Sequence, residues 1–175
     1  MNEIVKKNAI QFGLISGLIA IVIGTLMYLN LELYGSMWIG LALIAFYVGF
    51  GIYLLSKTKK QLAGNYSFKE AFTTYFVYAL IGIVISTLFN IVLYNFVDPG
   101  AKETLKEISI KSAVSMMEKF NTPSAVIKES IAKMETQDQF SFGSQIQGSL
   151  MSILISAIIG LILAAIFKSK SSNQL

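Results

Sequence analysis

The 175-residue chain contains no cysteine, no histidine and no arginine; its only cations are 14 lysines, set against 10 acids. Each absence removes a class of chemistry. Without cysteine there are no disulfides, no thiol chemistry and no iron–sulfur ligation. Without cysteine and histidine, a metal site would have to be built from carboxylates alone, which suits Mg, Ca or Mn better than zinc. Neither a Ser-His-Asp nor a Cys-His nucleophile system can be assembled. The lysines lack arginine forks and a basic stretch interleaved with aromatics, so nucleic acid is not an expected partner.

Charge is scarce as well. Charged residues make up 14% of the chain, against roughly a quarter in a soluble domain, while 54% is apolar and the mean hydropathy is +0.64. The few charges are segregated. Residues 9–31, 37–56, 71–97 and 144–167 contain no Asp, Glu or Lys, and together they exceed half the chain. Roughly 20 apolar residues in a helix cross a hydrocarbon core of about 30 Å, so each span is long enough. The pattern predicts an all-α, integral membrane four-helix bundle forming a single domain over residues 1–175. The first span follows Lys6 and Lys7, as a signal peptide would. It is longer than an h-region and no small-x-small cleavage site follows, which predicts a retained helix.

The lysines set the expected orientation, because cytoplasmic flanks carry the excess of Lys. Lys6, Lys7, Lys57, Lys59, Lys60, Lys69, Lys168 and Lys170 face only Glu3 and Glu70, whereas residues 98–143 carry six lysines and seven acids. Both termini are therefore expected in the cytoplasm and residues 98–143 outside it. Tyr34, Trp38 and Tyr94 are expected at the outer interface and Tyr66 at the inner one. A Ser-Lys pair is available only at the surface, since every lysine lies outside the spans.

Three helix starts are written in the chain. Ser67 with Glu70 is a capping box that starts the third helix at Phe68. Asp98 followed by Pro99 predicts a cap and a first helical turn. Thr122 with Pro123 repeats that chemistry after Asn121. Leu105, Ile108, Ala113, Met116, Met117 and Phe120, then Ile127, Ile131 and Met134, recur at helical spacing. Residues 98–143 thus read as two short amphipathic helices in the extracytoplasmic connection between helices 3 and 4. They suit a lid, a docking surface or a belt on the lipid headgroups. Phe140 and Phe142 would anchor the chain as it re-enters the bilayer.

Within lipid, small residues allow helices to approach closely. The fourth span carries Gly148, Ser152, Ser156, Gly160 and Ala164 at four-residue spacing; the first carries Gly13, Gly17 and Gly24; the third carries Gly82 and Ser86. These predict bundle packing, with self-association through the fourth helix as the alternative. Asn90, one turn beyond Ser86, is the most polar residue deep in a span, and an interhelical hydrogen bond towards Ser152 is expected.

The entry Tyr66-Ser67-Phe68-Lys69-Glu70-Ala71-Phe72 and the exit Phe96-Val97-Asp98-Pro99 of the third helix resemble the domain-of-unknown-function 4199 family of small Bacteroidota membrane proteins. The resemblance implies a bacterial inner-membrane location and nearly whole-chain coverage. It brings no activity, cofactor or catalytic residue with it. The composition itself points to a noncatalytic interaction or assembly component in the lipid bilayer, with a second copy or another membrane protein as partner. The alternative is a small transporter or channel subunit acting as an oligomer. An enzyme and a bound cofactor are not expected.

Overall fold

The charge-free spans form helices because they are long apolar runs whose backbone groups must be satisfied internally in lipid. The chain's structure is a computed structural model and describes residues 2–169, so Lys170 lies outside the described residues. Helix α1 spans Glu3–Leu29, α2 Met37–Gln61, α3 Phe68–Val92, α4 Ala101–Lys119, α5 Ser124–Thr136 and α6 Phe142–Phe167. A 3-10 turn, Leu31–Gly35, joins α1 to α2, and a π-helical turn, Leu93–Val97, continues α3. Among the described residues there is no strand. Four of the helices, α1, α2, α6 and α3 with its π turn, are long and apolar enough to cross a membrane.

Local chemistry fixes the element ends. At α3 the Ser67 Oγ accepts from the Glu70 N–H at 3.2 Å while the Glu70 carboxylate accepts from the Ser67 N–H at 3.0 Å, closing the capping box. Helix α4 ends in a Schellman motif, with Asn121 at φ 54° donating to the Glu118 carbonyl and the Thr122 N–H to Met117. Helix α2 ends the same way with alanine in the left-handed position: Ala63 has φ 50° and Gly64 φ 84°. Two expected starts are displaced. Helix α4 begins at Ala101 rather than Pro99, although the Asp98 carboxylate still accepts from the Ala101 N–H at 3.2 Å. Before α5 the cap position falls to Pro123, which has no side-chain donor or acceptor, and Thr122 makes no cap.

Helices α1 and α3 pack along most of their length, glycine against branched or aromatic side chain. A Cβ on Gly13 would lie 2.8 Å from the Ile81 Cβ, one on Gly17 2.8 Å from the Ile85 Cβ, and one on Gly24 2.8 Å from the Phe89 ring. Across the same seam Gly82 admits Ser16. Only glycine allows this approach. Helices α2 and α6 behave differently, for their buried residues cluster near the Lys-rich end: Gly51, Leu54, Leu55 and Thr58 on α2, and Gly160, Leu163 and Ala164 on α6. There they join Val5, Phe12, Tyr66 and Tyr75 in the main core. Towards the other end α2 leans away, and Gly40 and Gly49 meet nothing within 4 Å.

A second, smaller core closes that opposite end. Leu93, Tyr94, Ala101 and Leu105 pack together with Tyr28, Tyr34 and Phe140 around them. Helix α4 docks by its stretch from Ala101 to Ser112, with Ile108 against Gly35 and the Ser112 hydroxyl donating to the Gly35 carbonyl at 2.9 Å. Met116 and Phe120 stay exposed, and α5 buries no residue. The aromatic belt expected from sequence is therefore half internal. Trp38 is 76% exposed and Phe142 62%, as lipid-facing anchors would be. Tyr94 and Tyr66 are each only 1% exposed, and Phe140 stacks edge-on against Tyr94 at 5.4 Å instead of facing lipid.

Candidate functional site: a polar cleft between the second and sixth helices

Where α2 leaves the bundle, a cleft of about 660 Å³ opens between it, α3 and α6. That volume lies inside the usual range for small-molecule sites. One wall, on α2, is apolar: Leu43, Ile44 and Val48. The facing wall carries polar groups among Ala79, Ile83, Ile155 and Ile159. Helix α3 contributes Ser86, Thr87 and Asn90, and α6 contributes Ser149, Ser152 and Ser156. Among the described residues no lysine, aspartate or glutamate lines it.

The polar wall follows from helical spacing. Ser86 and Asn90 are one turn apart with Thr87 beside them, while Ser149, Ser152 and Ser156 share a face of α6. The Ser149 hydroxyl donates to the Ile146 carbonyl at 2.7 Å and that of Ser152 to the Gly148 carbonyl at 3.0 Å. These back-bonds satisfy the donors and leave hydroxyl lone pairs as acceptors. The expected bond from Asn90 to Ser152 is absent, because Ser152 has turned to its own helix. The Asn90 amide instead borders the cleft, offering two donors and one acceptor.

The floor is built by Tyr75. Its ring is held between two glycines: a Cβ on Gly51 of α2 would lie 2.9 Å from the ring's Cδ2, and one on Gly160 of α6 3.0 Å from its Cδ1. Tyr75 is 3% exposed and borders the cleft. Its neighbour Tyr78 is anchored instead, donating to the Tyr47 carbonyl at 2.8 Å. Below these rings the main core is closed. At the mouth the Tyr34 and Tyr94 hydroxyls pair at 2.8 Å, and burial pushes the Tyr34 hydroxyl above the ordinary tyrosine value.

Polar contacts hold both ends of the bundle around the cleft. At the mouth Tyr28 donates to the Asp98 carboxylate at 2.9 Å, and Lys102 donates to the Asn95 amide oxygen at 2.8 Å while lying 3.6 Å from Asp138. The Asn95 and Gln145 amides both donate to the Phe140 carbonyl, tying the connection to α3 and α6. At the Lys-rich end the buried Asn8 amide donates to Thr58 at 3.0 Å and to Gln61 at 2.6 Å. Tyr66 donates its hydroxyl to Thr74 at 2.7 Å, its N–H donates to the Ser169 hydroxyl and its carbonyl accepts from the Ser169 N–H; burial pushes its hydroxyl up to about 12.

The small residues predicted from sequence therefore divide. Gly13, Gly17, Gly24 and Gly82 lie in the seam between α1 and α3, and Gly160 is the seat of Tyr75. Gly148, Ser152, Ser156, Ser86 and Asn90 border the cleft. The α6 stripe is thus not one continuous packing face. Its half near the Lys-rich end receives α3, and its other half faces open space at Gly148. Sequence reasoning missed Tyr75 and its glycine sockets, and also Thr87 and Ser149. The one legible signal for the latter two was their place on the faces already marked by Ser86, Asn90 and Ser152.

Four apolar spanning helices enclosing an uncharged polar cleft define the class: a multi-pass membrane protein. The particular family is shown by direct comparison, for residues 11–169 match the family described as protein of unknown function (DUF4199), and the chain belongs to it. No curated protein and no solved structure matches the chain.

Proposed function

We propose that this protein is a noncatalytic component of a bacterial inner membrane that works by binding, with both termini cytoplasmic and residues 98–143 on the outer side. The observation that carries the reading is the cleft lining: hydroxyls and the carboxamides of Asn90, Gln139 and Gln145, with no lysine or carboxylate among the described residues that border it. General acid–base work at neutral pH calls for groups titrating near that pH, and a chain without histidine or cysteine brings none into this cleft. Such a lining recognises hydrogen-bonding partners without charge. The partner is a molecule or segment entering the cleft from the bilayer, another membrane protein or a second copy of the chain.

In-cell crosslinking followed by purification in mild detergent tests this. Retention of a defined lipid or protein partner supports it; a lone monomer free of both counts against it.

A second reading has one observation in its favour. The polar cleft around Asn90 is what a transporter or channel subunit for neutral solutes would need. Passage, however, would require the packed residues beneath Tyr75 to separate, with α2 swinging about its inner end. Flux of uncharged solutes into proteoliposomes decides between the two.

A further inference from the structure

The Lys-rich end of the bundle holds a second groove, separate from the cleft and opposite to it in chemistry. It lies where the last turns of α2 and α6 come together, encloses about 440 Å³ and is bordered by Ser56, Lys59, Lys60, Gly64, Ile166 and Phe167. The groove is held in place by Ser169, whose hydroxyl accepts from the Tyr66 N–H at 2.8 Å and donates to the Gly64 carbonyl, and whose N–H donates to the Tyr66 carbonyl at 2.7 Å. These bonds tie the exit of α6 to the loop after α2. A Cβ on Gly64 would meet nothing within 4 Å, so the space beside the lysines is open.

Two further observations say what fits there. The first is charge. Among the described residues the ion pairs are Lys102 with Asp138 and Lys133 with Glu129, so Lys59 and Lys60 have no acidic partner. Of the acids at this end, Glu70 already accepts from the Ser67 N–H and hydroxyl, and Glu3 stands in the first turn of α1. Nor are the two lysines needed as caps, because the Ala63 and Gly64 N–H groups donate to the Lys60 and Lys59 carbonyls. Lys57 differs: its ammonium lies 5.0 Å over the Phe12 ring. The second observation is polarity along the groove. Ile166 is exposed, and one turn deeper Ile52 shares the face of Ser56 while Ile162 shares that of Ile166. Both are exposed, and in spanning helices they face hydrocarbon. The groove is cationic at the membrane surface and apolar below it.

We infer that this groove seats an anionic phospholipid. Its phosphate lies between Lys59 and Lys60 with the Ser56 hydroxyl beside it, and its acyl chains run along the exposed faces of α2 and α6. A free phosphate ion offers the same charge, but the apolar continuation past Ile166 selects a headgroup that carries chains. Lysines at a membrane surface favour anionic over zwitterionic headgroups.

Native mass spectrometry of the full chain in mild detergent, titrated with phosphatidylglycerol and with phosphatidylcholine of the same acyl chains, tests this. Phosphatidylglycerol should bind about tenfold more tightly, and a photoactivatable form of it should label peptides holding residues 52–60 and 162–167. Lys59→Gln with Lys60→Gln should remove the preference. Lys6→Gln with Lys7→Gln takes the same charge from the same end at exposed positions outside the groove, and should leave it. Lys59→Arg with Lys60→Arg should keep it, which separates loss of charge from loss of fold. Glycerol phosphate, which has no chains, should fail to displace the lipid at equal concentration. Equal binding of the two lipids overturns the inference, as does an equal effect of the two glutamine pairs, which would mark diffuse surface charge. Displacement by glycerol phosphate also overturns it, leaving an anion site in place of a lipid seat. The cleft takes no part in any of these measurements, so the binding reading stands or falls apart from them.

Discussion

Ala63 occupies a backbone conformation that favours glycine, at φ 50° where α2 turns into the connection. The left-handed region costs a residue with a Cβ roughly 1 kcal/mol, so Ala63→Gly should stabilise the protein by about that amount in denaturation of the detergent-solubilised chain. An unchanged or lower stability would show that the Schellman geometry there is not retained. Tyr66 gives a pH signature. Its hydroxyl is pushed up to about 12 by burial, so the fold prefers its protonated form. That contribution is fully present below the unfolded value of about 10 and is lost as pH rises through about 12. Melting temperature should fall across that window, and Tyr66→Phe should flatten the slope. The Ser67 capping box was legible from sequence because all its partners lie within three residues. The bond from Asn90 to Ser152 was misjudged because a serine in a helix can satisfy itself one turn back, and spacing alone does not say which acceptor wins.

At the scale of elements, the seam between α1 and α3 depends on glycines that leave no room for a methyl group. Gly17→Ala would press a Cβ into Ile85 and should cost about 1–3 kcal/mol. Gly49→Ala meets nothing within 4 Å and should be neutral within about 0.5 kcal/mol or slightly stabilising. Thermal denaturation of the pair in one detergent checks both; equal effects would mean that the two helices do not pack as described. Both glycines stand in charge-free apolar runs, and no local pattern separates them. What distinguishes them is the neighbour each faces, which is a property of the bundle. The same holds for the fourth span's small stripe, divided between a seat for Tyr75 and a cleft wall.

The whole molecule is asymmetric along its long axis. Its main core gathers at the end carrying Lys6, Lys7, Lys57, Lys59 and Lys60, while the opposite end is held by a smaller cluster and by hydrogen bonds from the connection. An Asn8→Leu exchange removes the buried bond to Thr58 and the part-buried one to Gln61 and should destabilise by about 1–2 kcal/mol, chiefly by leaving the buried Thr58 hydroxyl short of a donor. The proposed orientation in the membrane rests on the lysine distribution. A reporter fused at residue 120 should be active only on the outer side, and activity in the cytoplasm would invert the proposed topology.

Sequence by itself determined the four apolar spans, the helical connection, the absence of histidine, cysteine and arginine, and the expected sidedness. These follow from composition, length and local capping, each of which acts within a few residues or one hydrophobic thickness. Tertiary structure alone decided that α2 parts from α3 and α6, that Tyr66 and Tyr94 turn inward, and that scattered serines and Asn90 meet in one cleft. In lipid, apolar surface gains nothing from choosing one neighbour over another. Which faces meet is settled by close approach at glycines such as Gly17, Gly51 and Gly160, and that depends on side chains far away in the chain.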